Sequence, residues 1–408
     1  MDAADLAHRA RTHAGWVPPD LVDLLLAGGH TGDVARLARQ GDWFCARALA
    51  DPEILAPYAA TGWWPATEAM ATLLQRQGRT GEAVAMARSH PGADRAFLGR
   101  LLARAGQAGD AYDLLRPGID DASLAAALVD VAAPAGRDED TAALLTARIA
   151  AAVRRCDHPG CDDVAVTPFN AVDLLATIRE RQGRIDEAIA LLHTREMTSI
   201  NDRDQLADLL ARHGRLDELR AYAAADTLGH GARVLAGLLE QRGDIDGAIA
   251  VYRQPGLSCD VELAELLARH GHVDEATAVL RAFAARGDDW TVDVLCGHYP
   301  ENGRAAEGLA YLDGLGADDW EYFRLRLPLL AALGRRDEAI TLAQAHPEGG
   351  TWYAAGVIAA LLADAGRPEQ ALAVLRRHDL RHDMARLLIG LGRVPAALSV
   401  LRDAPASR

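Results

Sequence analysis

The chain has 408 residues, half of them hydrophobic, and carries a formal net charge of −15. That balance disfavours binding to a nucleic acid backbone or to an anionic membrane, because both require clustered Lys and Arg. The five cysteines form an odd, sparse set, which argues against a disulfide-stapled scaffold and favours a reducing compartment.

The N-terminal segment is acidic and then basic, and no apolar core of a signal peptide follows it. No stretch approaches the ~18 consecutive apolar residues that are needed to span a membrane. We therefore expect a soluble, cytoplasmic protein. The abundance of Ala, Arg and Asp with very little Lys is typical of a GC-rich bacterial genome.

Twelve times along the chain, a helix-like apolar run is followed by a glycine and then by the acidic start of a second helix. We call these residues the marker glycines: Gly29, Gly78, Gly106, Gly136, Gly183, Gly214, Gly243, Gly271, Gly303, Gly334, Gly366 and Gly392. Most successive gaps are near 30 residues, which accommodates two short helices and two turns. The gaps of 49 and 47 indicate either an insertion or a copy that is worn past recognition.

Each marker glycine is predicted to end one helix and to precede another. Glycine most readily adopts the left-handed conformation at a helix C-terminus, and the acidic residues that follow favour a helix N-terminus. No alternation typical of strands is found, so the sequence predicts an all-α fold. A small residue at the fifth position after the glycine, which would let the two helices approach closely, recurs as Ala83, Ala111, Ala188, Ala248, Ala276, Ala339, Ala371 and Ala397.

In the clearest copies, such as 183–189 and 334–340, the glycine begins a Gly-x-x-Asp-Glu-Ala-Ile motif, and Leu-Ala-x-Leu-Leu runs precede other marker glycines. This pattern resembles the tetratricopeptide repeat over most of residues 20–403. The resemblance implies a right-handed αα-superhelix, a TPR-like solenoid of about twelve helix-turn-helix repeats. The family period is about 34 residues, whereas this chain mostly runs at 28–32. We therefore expect shorter second helices.

The pattern breaks between Gly136 and Gly183, where a turn-rich segment contains Cys156, His158 and Cys161. A structural zinc site needs four ligands, and no second cysteine pair stands at ligand spacing. An insertion loop is therefore favoured over a metal or redox site, and no metal or cofactor is predicted. The resulting organisation is N-terminal repeats at 1–150, an insertion loop at 151–168 and C-terminal repeats at 169–408.

Aromatic and histidine side chains offer two further candidate sites. Tryptophan recurs 13 or 14 residues before a marker glycine, at Trp64, Trp290, Trp320 and Trp352. An aromatic stripe for ligands is one interpretation, but packing of each ring on a neighbouring repeat behind a capping residue is favoured. His378 and His382 would share one face of a helix, and solvated surface is favoured over a metal site because no third ligand is evident.

In the tetratricopeptide family the first helix of each repeat lines a concave groove. Laying the family pattern on the best copies implies a partner-binding set of Asn170, Asp173, Arg181, Asn201, Asp204, Asp208, Arg212 and Arg233, with Thr177, His230 and Glu240 at neighbouring groove positions. Asn amides can hydrogen-bond to the main chain of an extended peptide, and carboxylates attract Lys or Arg. The alternative is that Asp173 and Asp204 are ordinary polar residues in the first turn of their helices.

No nucleophile elbow, zinc-protease motif or P-loop occurs, so no enzymatic activity is predicted. We expect a non-enzymatic interaction scaffold or adaptor that binds a partner protein or peptide, of basic or mixed character, in its groove. The alternative is a regulatory sensor that binds a small molecule or signalling peptide and acts on a separate effector protein. Neither nucleic acid nor membrane is an expected partner, and the oligomeric state is left open.

Overall fold

The computed structural model describes residues 16–151, 171–194, 204–286, 289–317 and 319–402, together with residues 5, 6, 8 and 12. Within these ranges every regular element is helical, and the α-helices after residue 18 number 26. The all-α prediction is confirmed. The chain divides into two compact units, Met1–Thr198 and Ser199–Arg408.

The helices of unit 1 are short and follow one another closely. They are α1 Pro19–Ala27, α2 Thr31–Arg39, α3 Trp43–Leu49, α4 Pro52–Ala59, α5 Trp64–Arg76, α6 Thr80–Ser89, α7 Arg95–Arg104, α8 Ala108–Leu115, α9 Ala122–Ala132, α10 Asp138–Ala151, α11 Ala171–Arg181 and α12 Ile185–Leu192, with a 3₁₀ turn at Arg116–Gly118.

Unit 2 repeats the same arrangement. Its helices are α13 Gln205–Arg212, α14 Leu216–Ala225, α15 His230–Gln241, α16 Ile245–Tyr252, α17 Asp260–Arg269, α18 Val273–Ala284, α19 Asp289–Glu301, α20 Ala305–Leu315, α21 Trp320–Ala332, α22 Arg336–Ala345, α23 Trp352–Asp364, α24 Pro368–Arg377, α25 Arg381–Gly390 and α26 Val394–Arg402.

Every marker glycine lies in the turn between an odd-numbered helix and the even-numbered helix after it, and all twelve have positive φ. The angle is 76° at Gly183 and 80° at Gly243. In this left-handed region a Cβ would clash with the backbone, which is why glycine recurs there. The predicted helix-turn-helix units are confirmed at all twelve positions.

A thirteenth helix pair, α3 with α4, fills the long gap between Gly29 and Gly78. Its turn uses Ala50, a non-glycine residue at φ 49°. The gap therefore contains a degenerate copy of the repeat and not an insertion. The predicted number of about twelve repeats misses this pair because its marker glycine has been replaced.

Alanine at the fifth position after the marker glycine permits the close packing of each pair. All eight of these alanines, from Ala83 to Ala397, have no exposed surface. Each helix packs on the helices next to it in sequence within its unit, and several odd-numbered helices also pack on the next odd-numbered one, such as α7 on α9 and α13 on α15. Contacts limited to neighbours are the packing pattern of a helical solenoid.

The predicted boundary loop at 151–168 lies outside the described residues, except for Ala151 at the end of α10. The division at 1–150, 151–168 and 169–408 therefore stays a prediction. His378 and His382 do not share a helix, because His378 follows the last residue of α24 and His382 lies in α25. Among the helices that the structure describes, none has the length and apolar character needed to cross a lipid bilayer.

Candidate functional site

Two of the predicted partner-binding residues lie on α11 in unit 1. Arg181 is engaged inside the protein: its Nε donates to Asp138 Oδ2 at 2.9 Å and its Nη1 to the carbonyl oxygen of Val129 at 2.8 Å. Asp173 is half-buried in the first turn of the helix. Asn170 lies outside the described residues. Arg181 therefore connects α11 to α9 and α10, which leaves it poorly placed to bind a partner.

Three more of the predicted residues lie on or before α13 in unit 2. Asp204 is buried and caps α13, accepting hydrogen bonds from Leu206 N at 3.1 Å and Ala207 N at 3.2 Å. The hydroxyl of Tyr222 donates to its other oxygen. Asp208 is half-buried and Arg212 is exposed. Asn201 lies outside the described residues.

The first-turn interpretation of Asp204 agrees with this geometry. A buried capping carboxylate satisfies backbone N–H groups that would otherwise lack a partner. Its acceptors are therefore committed to its own helix and to α14. As a partner-binding residue Asp204 stays an untested prediction, and its surroundings offer little room for one.

Charged residues of α15 and α17 form ion pairs between neighbouring repeats. Arg233 Nε on α15 lies 2.5 Å from Glu262 Oε1 on α17. Glu240 near the end of α15 pairs with Arg269 at 3.1 Å and accepts a hydrogen bond from His270 Nε2 at 2.9 Å. These charges neutralise one another along the odd-numbered helices of unit 2.

The predicted positions share one register relative to the marker glycines. Asp173 and Asp204 lie ten residues before theirs, and Arg181 and Arg212 lie two residues before. In α5 of unit 1 the same two positions, counted back from Gly78, are Glu68 and Arg76. The position six residues before, held by Thr177 and Asp208 in the predicted set, is Thr72.

In α5 this register lines a cleft of about 270 Å³. The cleft lies between α3, the start of α4 and α5. Its lining consists of Trp43, Arg47, Ala50, Leu55, Pro65, Glu68, Ala69, Thr72, Leu73 and Arg76. We call it the α3–α5 cleft. A concave site with an apolar floor and a few polar groups is the usual form of a binding site.

The two arginines of the α3–α5 cleft differ from the other arginines of the odd-numbered helices. In the part of the chain that the structure describes, the others apart from Arg212 make an ion pair or a side-chain hydrogen bond, as in Arg100 with Asp130 or Arg324 with Asp293. Arg47 and Arg76 make none, and both are exposed. Their guanidinium groups are available to a ligand.

Glu68 is the acidic residue of the cleft. Burial raises the pKa of its carboxyl, the carboxylate of Asp94 raises it further, and Arg47 lowers it. Glu68 makes no ion pair with either arginine within the described residues. The cleft thus presents two guanidinium groups and one carboxyl on an apolar floor.

The floor of the cleft is rigid. Trp43 is almost fully buried and packs its ring against Tyr58 and Trp63, with ring centroids 5.5 and 4.9 Å apart. The Tyr58 hydroxyl donates to the carbonyl oxygen of Ala38, and the carbonyl oxygen of Asp42 lies 3.2 Å from it. A lining held in place before binding loses little entropy when a ligand arrives.

Sequence reasoning missed the cleft, although the signal for part of it was present. The register of Asp173 and Arg181 also selects Glu68 and Arg76 when counted from Gly78. Arg47 could not be found this way, because its repeat lacks a marker glycine.

The tryptophans divide into two groups. Trp64 packs on His90 and Phe97 of following helices at 5.2 and 5.7 Å, and Trp320 is buried. The packing interpretation is right for these two. Trp290 is 57% exposed, although its ring contacts Phe283 at 5.7 Å. Trp352 is 66% exposed, and the packing interpretation is wrong for it.

Metal ligation has no support within the described residues, where no group of three or more His, Cys, Asp or Glu is placed to hold an ion. Cys156, His158 and Cys161 lie outside those residues. The three described cysteines are buried and free.

Comparison with known proteins gives three matches to the sequence model of the tetratricopeptide repeat, at residues 64–89, 352–377 and 379–403. The first match covers α5 and α6, and therefore most of the cleft lining. No curated protein matches the sequence. The three matched segments, each a helix pair joined by a glycine turn, are therefore similar to tetratricopeptide repeats.

Among solved structures, one titled "Structure of Naa15/Naa10 bound to HypK-THB" aligns over 93% of this chain and 73% of that chain at 13% sequence identity. The TM-score is 0.37. A score at this level is too low to support an argument from that structure about architecture or function.

Proposed function

We propose that the protein is a non-enzymatic interaction scaffold or adaptor that binds a partner protein or peptide on its odd-numbered helices. The observation that carries this proposal is the α3–α5 cleft, which α5 lines at the predicted register and which contains two arginines that form no ion pair or side-chain hydrogen bond within the described residues. Both arginines are exposed, so they are accessible to another chain.

The cleft supports binding better than catalysis. Its lining contains no histidine or cysteine, and its single carboxyl has no second acid or base among the lining residues. A net charge of −15 on the whole chain makes a protein or peptide a better partner than nucleic acid or an anionic membrane. The sparse cysteines are the reason for placing this activity in the cytoplasm.

A pull-down from host lysate tests the proposal if the cleft is altered in a matched design. Arg47→Glu with Arg76→Glu reverses both cleft charges. Arg39→Glu with Arg242→Glu makes the same change in net charge at two exposed arginines outside the cleft.

We expect a partner to be retained by the native chain and by the Arg39/Arg242 variant, and lost from the Arg47/Arg76 variant. Retention by all three forms would remove the cleft from the proposal. Retention of no protein by the native chain would remove the scaffold itself.

The size of the cleft also suits a small ligand, which keeps the regulatory-sensor alternative open to test. A volume of about 270 Å³ is close to the lower end of small-molecule pockets. Thermal-shift screening of small carboxylates and amino acids against native chain and the Arg47/Arg76 variant separates the two functions. A small ligand that stabilises only the native chain would favour the sensor.

A further inference from the structure

We propose that the α3–α5 cleft recognises an acidic side chain, Glu or Asp, within an internal segment of the partner, with Arg47 and Arg76 holding the carboxylate. This inference rests on the proposed function and adds the chemistry of the ligand. It differs from the prediction of a basic partner, which followed from net charge and from the acids of α11 and α13.

The first argument is charge. Carboxylates along the odd-numbered helices, such as Asp130, Glu240 and Glu262, already pair with arginines. Among the arginines of these helices, Arg47 and Arg76 form no such pair with any residue that the structure describes. Arginine presents a planar fork of N–H donors that fits a carboxylate in a bidentate manner, and such charge-assisted hydrogen bonds are stronger than neutral ones.

The second argument is the balance of charge within the cleft. The lining contains two arginines and one carboxyl, and Arg47 is close enough to Glu68 to lower the pKa of that carboxyl. One Arg–Glu pair inside the cleft would still leave a second guanidinium group unsatisfied. A single incoming carboxylate completes this balance, whereas an incoming Lys or Arg would add a third positive charge.

The third argument is size and lining. A cleft of about 270 Å³ admits one or two side chains and cannot enclose a folded element. Pro65, Ala69 and Leu73 offer apolar surface to the methylene groups of an acidic side chain or to an apolar neighbour. The occupant is therefore an acidic residue next to an apolar one.

The probe is a short peptide with a central Leu-Glu pair in a Gly/Ser background, labelled with fluorescein at its N-terminus and amidated at its C-terminus. Fluorescence anisotropy at low ionic strength measures its binding to the full chain. A second peptide replaces Glu by Gln, and a third replaces it by Lys. A fourth carries Gln and a free C-terminal carboxylate, which separates an internal acidic side chain from a chain terminus.

We expect the Glu peptide to bind at least about tenfold more tightly than the Gln and Lys peptides, since a hydrogen bond to a charged group contributes at least that factor. Arg47→Gln with Arg76→Gln should lose the same factor, whereas Arg39→Gln with Arg242→Gln should bind as the native chain does. Glu68→Gln, which removes a like charge, should bind the Glu peptide more tightly. Circular dichroism and thermal unfolding show whether each variant is folded.

Equal binding of the Glu and Gln peptides would overturn the inference, as would preference for the Lys peptide or binding of the free terminus alone. A failure here is distinct from failure of the proposed function. A host protein that is retained through Arg47 and Arg76, together with no preference for the Glu peptide, would leave the scaffold standing and remove only the acidic ligand.

Discussion

Asp42 connects residues 16 and 17 to α3 through hydrogen bonds. Its carboxylate is fully buried and accepts from Cys45 N at 3.0 Å, which caps α3, and from Trp16 N and Val17 N at 2.9 Å each. Three backbone N–H groups therefore depend on one side chain. The same residue precedes Trp43, the floor of the cleft, so its loss would reach the candidate site.

Asp42→Ala is expected to lower the free energy of unfolding by about 2–4 kcal/mol, because it removes a cap and leaves buried N–H groups without an acceptor. Asp51→Ala is the matched control, since Asp51 is an exposed cap of α4 whose carboxylate accepts from Glu53 N at 2.8 Å. Its substitution should cost about 1 kcal/mol. Urea unfolding followed by circular dichroism measures both, and an effect at Asp42 no larger than at Asp51 would contradict this account.

His298 is a buried histidine whose contacts fit the neutral ring. Its Nε2 lies 3.2 Å from Thr277 Oγ1, and its Nδ1 lies 3.1 Å from Asn302 Nδ2. Burial lowers the pKa of His298, Glu301 opposes that effect, and Arg304 adds to it. In the neutral ring, Nδ1 can accept a hydrogen bond from the Asn302 amide group. A protonated Nδ1 would instead place one N–H donor against another.

The pH dependence of stability follows from that direction. Because the pKa of His298 is lower in the folded chain than the value near 6.5 of an unfolded one, the unfolded state binds more protons between the two values, and stability falls as the pH drops through 6.5. His298→Gln should reduce this loss, and His272→Gln at an exposed position should not. Thermal unfolding of the native chain and the two variants between pH 7.5 and 5.5 tests this prediction. Equal pH dependence of stability in all three proteins would contradict a buried, neutral His298 ring.

At the scale of the element, the helix pair is defined by its glycine turn. Gly243 and Gly237 belong to the same repeat and illustrate opposite roles. At both positions an added Cβ meets no atom within 4 Å, but Gly243 has φ +80° whereas Gly237 lies inside α15. Only backbone conformation distinguishes the two sites.

Gly243→Ala should therefore destabilise the chain by about 1–2 kcal/mol, the cost of a left-handed non-glycine residue. Gly237→Ala should stabilise it by about 0.5–1 kcal/mol, because alanine favours the helix. The two substitutions add the same methyl group and differ only in φ. Denaturant unfolding of both variants gives the answer, and effects of the same sign would contradict the turn geometry.

The ion pairs between successive odd-numbered helices are expected to contribute little to the free energy of unfolding, because solvent screens exposed charges. Arg233 and Glu262 lie 2.5 Å apart, but their side chains are 39% and 29% exposed. A double-mutant cycle with Arg233→Gln and Glu262→Gln should give a coupling energy of about 0.3–1 kcal/mol, and it should decrease in high salt. A coupling above about 2 kcal/mol would show that these pairs hold the repeats together.

Local rules predicted the helix pairs from sequence, and contacts between distant residues explain what those rules missed. The glycine turns and the buried alanines follow from a few adjacent residues. Arg181 and Asp204, by contrast, are engaged by Asp138 and Tyr222, which lie 43 and 18 residues away. The α3–α5 cleft needs three helices, one of them from a repeat without its glycine.

At the scale of the whole molecule, a net charge of −15 does not describe the surface that a partner meets. Many carboxylates on the odd-numbered helices are matched by arginines of neighbouring repeats, as in Asp293 with Arg324. Local charge is then set by the few side chains that lack a partner. In unit 1, Arg47 and Arg76 form no ion pair or side-chain hydrogen bond within the described ranges, which is why we propose an acidic segment as the ligand of an acidic protein.

Site-specific photo-crosslinking tests the central claim, that partners bind the odd-numbered helices at the α3–α5 cleft, most directly. A photoreactive p-benzoylphenylalanine replaces Pro65, an exposed residue of the cleft lining, or Ser89, an exposed residue at the end of the even-numbered α6. After irradiation in host lysate, we expect a discrete adduct from position 65 that disappears with Arg47→Glu and Arg76→Glu, and none from position 89. An adduct from position 89 alone, or one from position 65 that persists in the charge-reversed chain, would contradict the account.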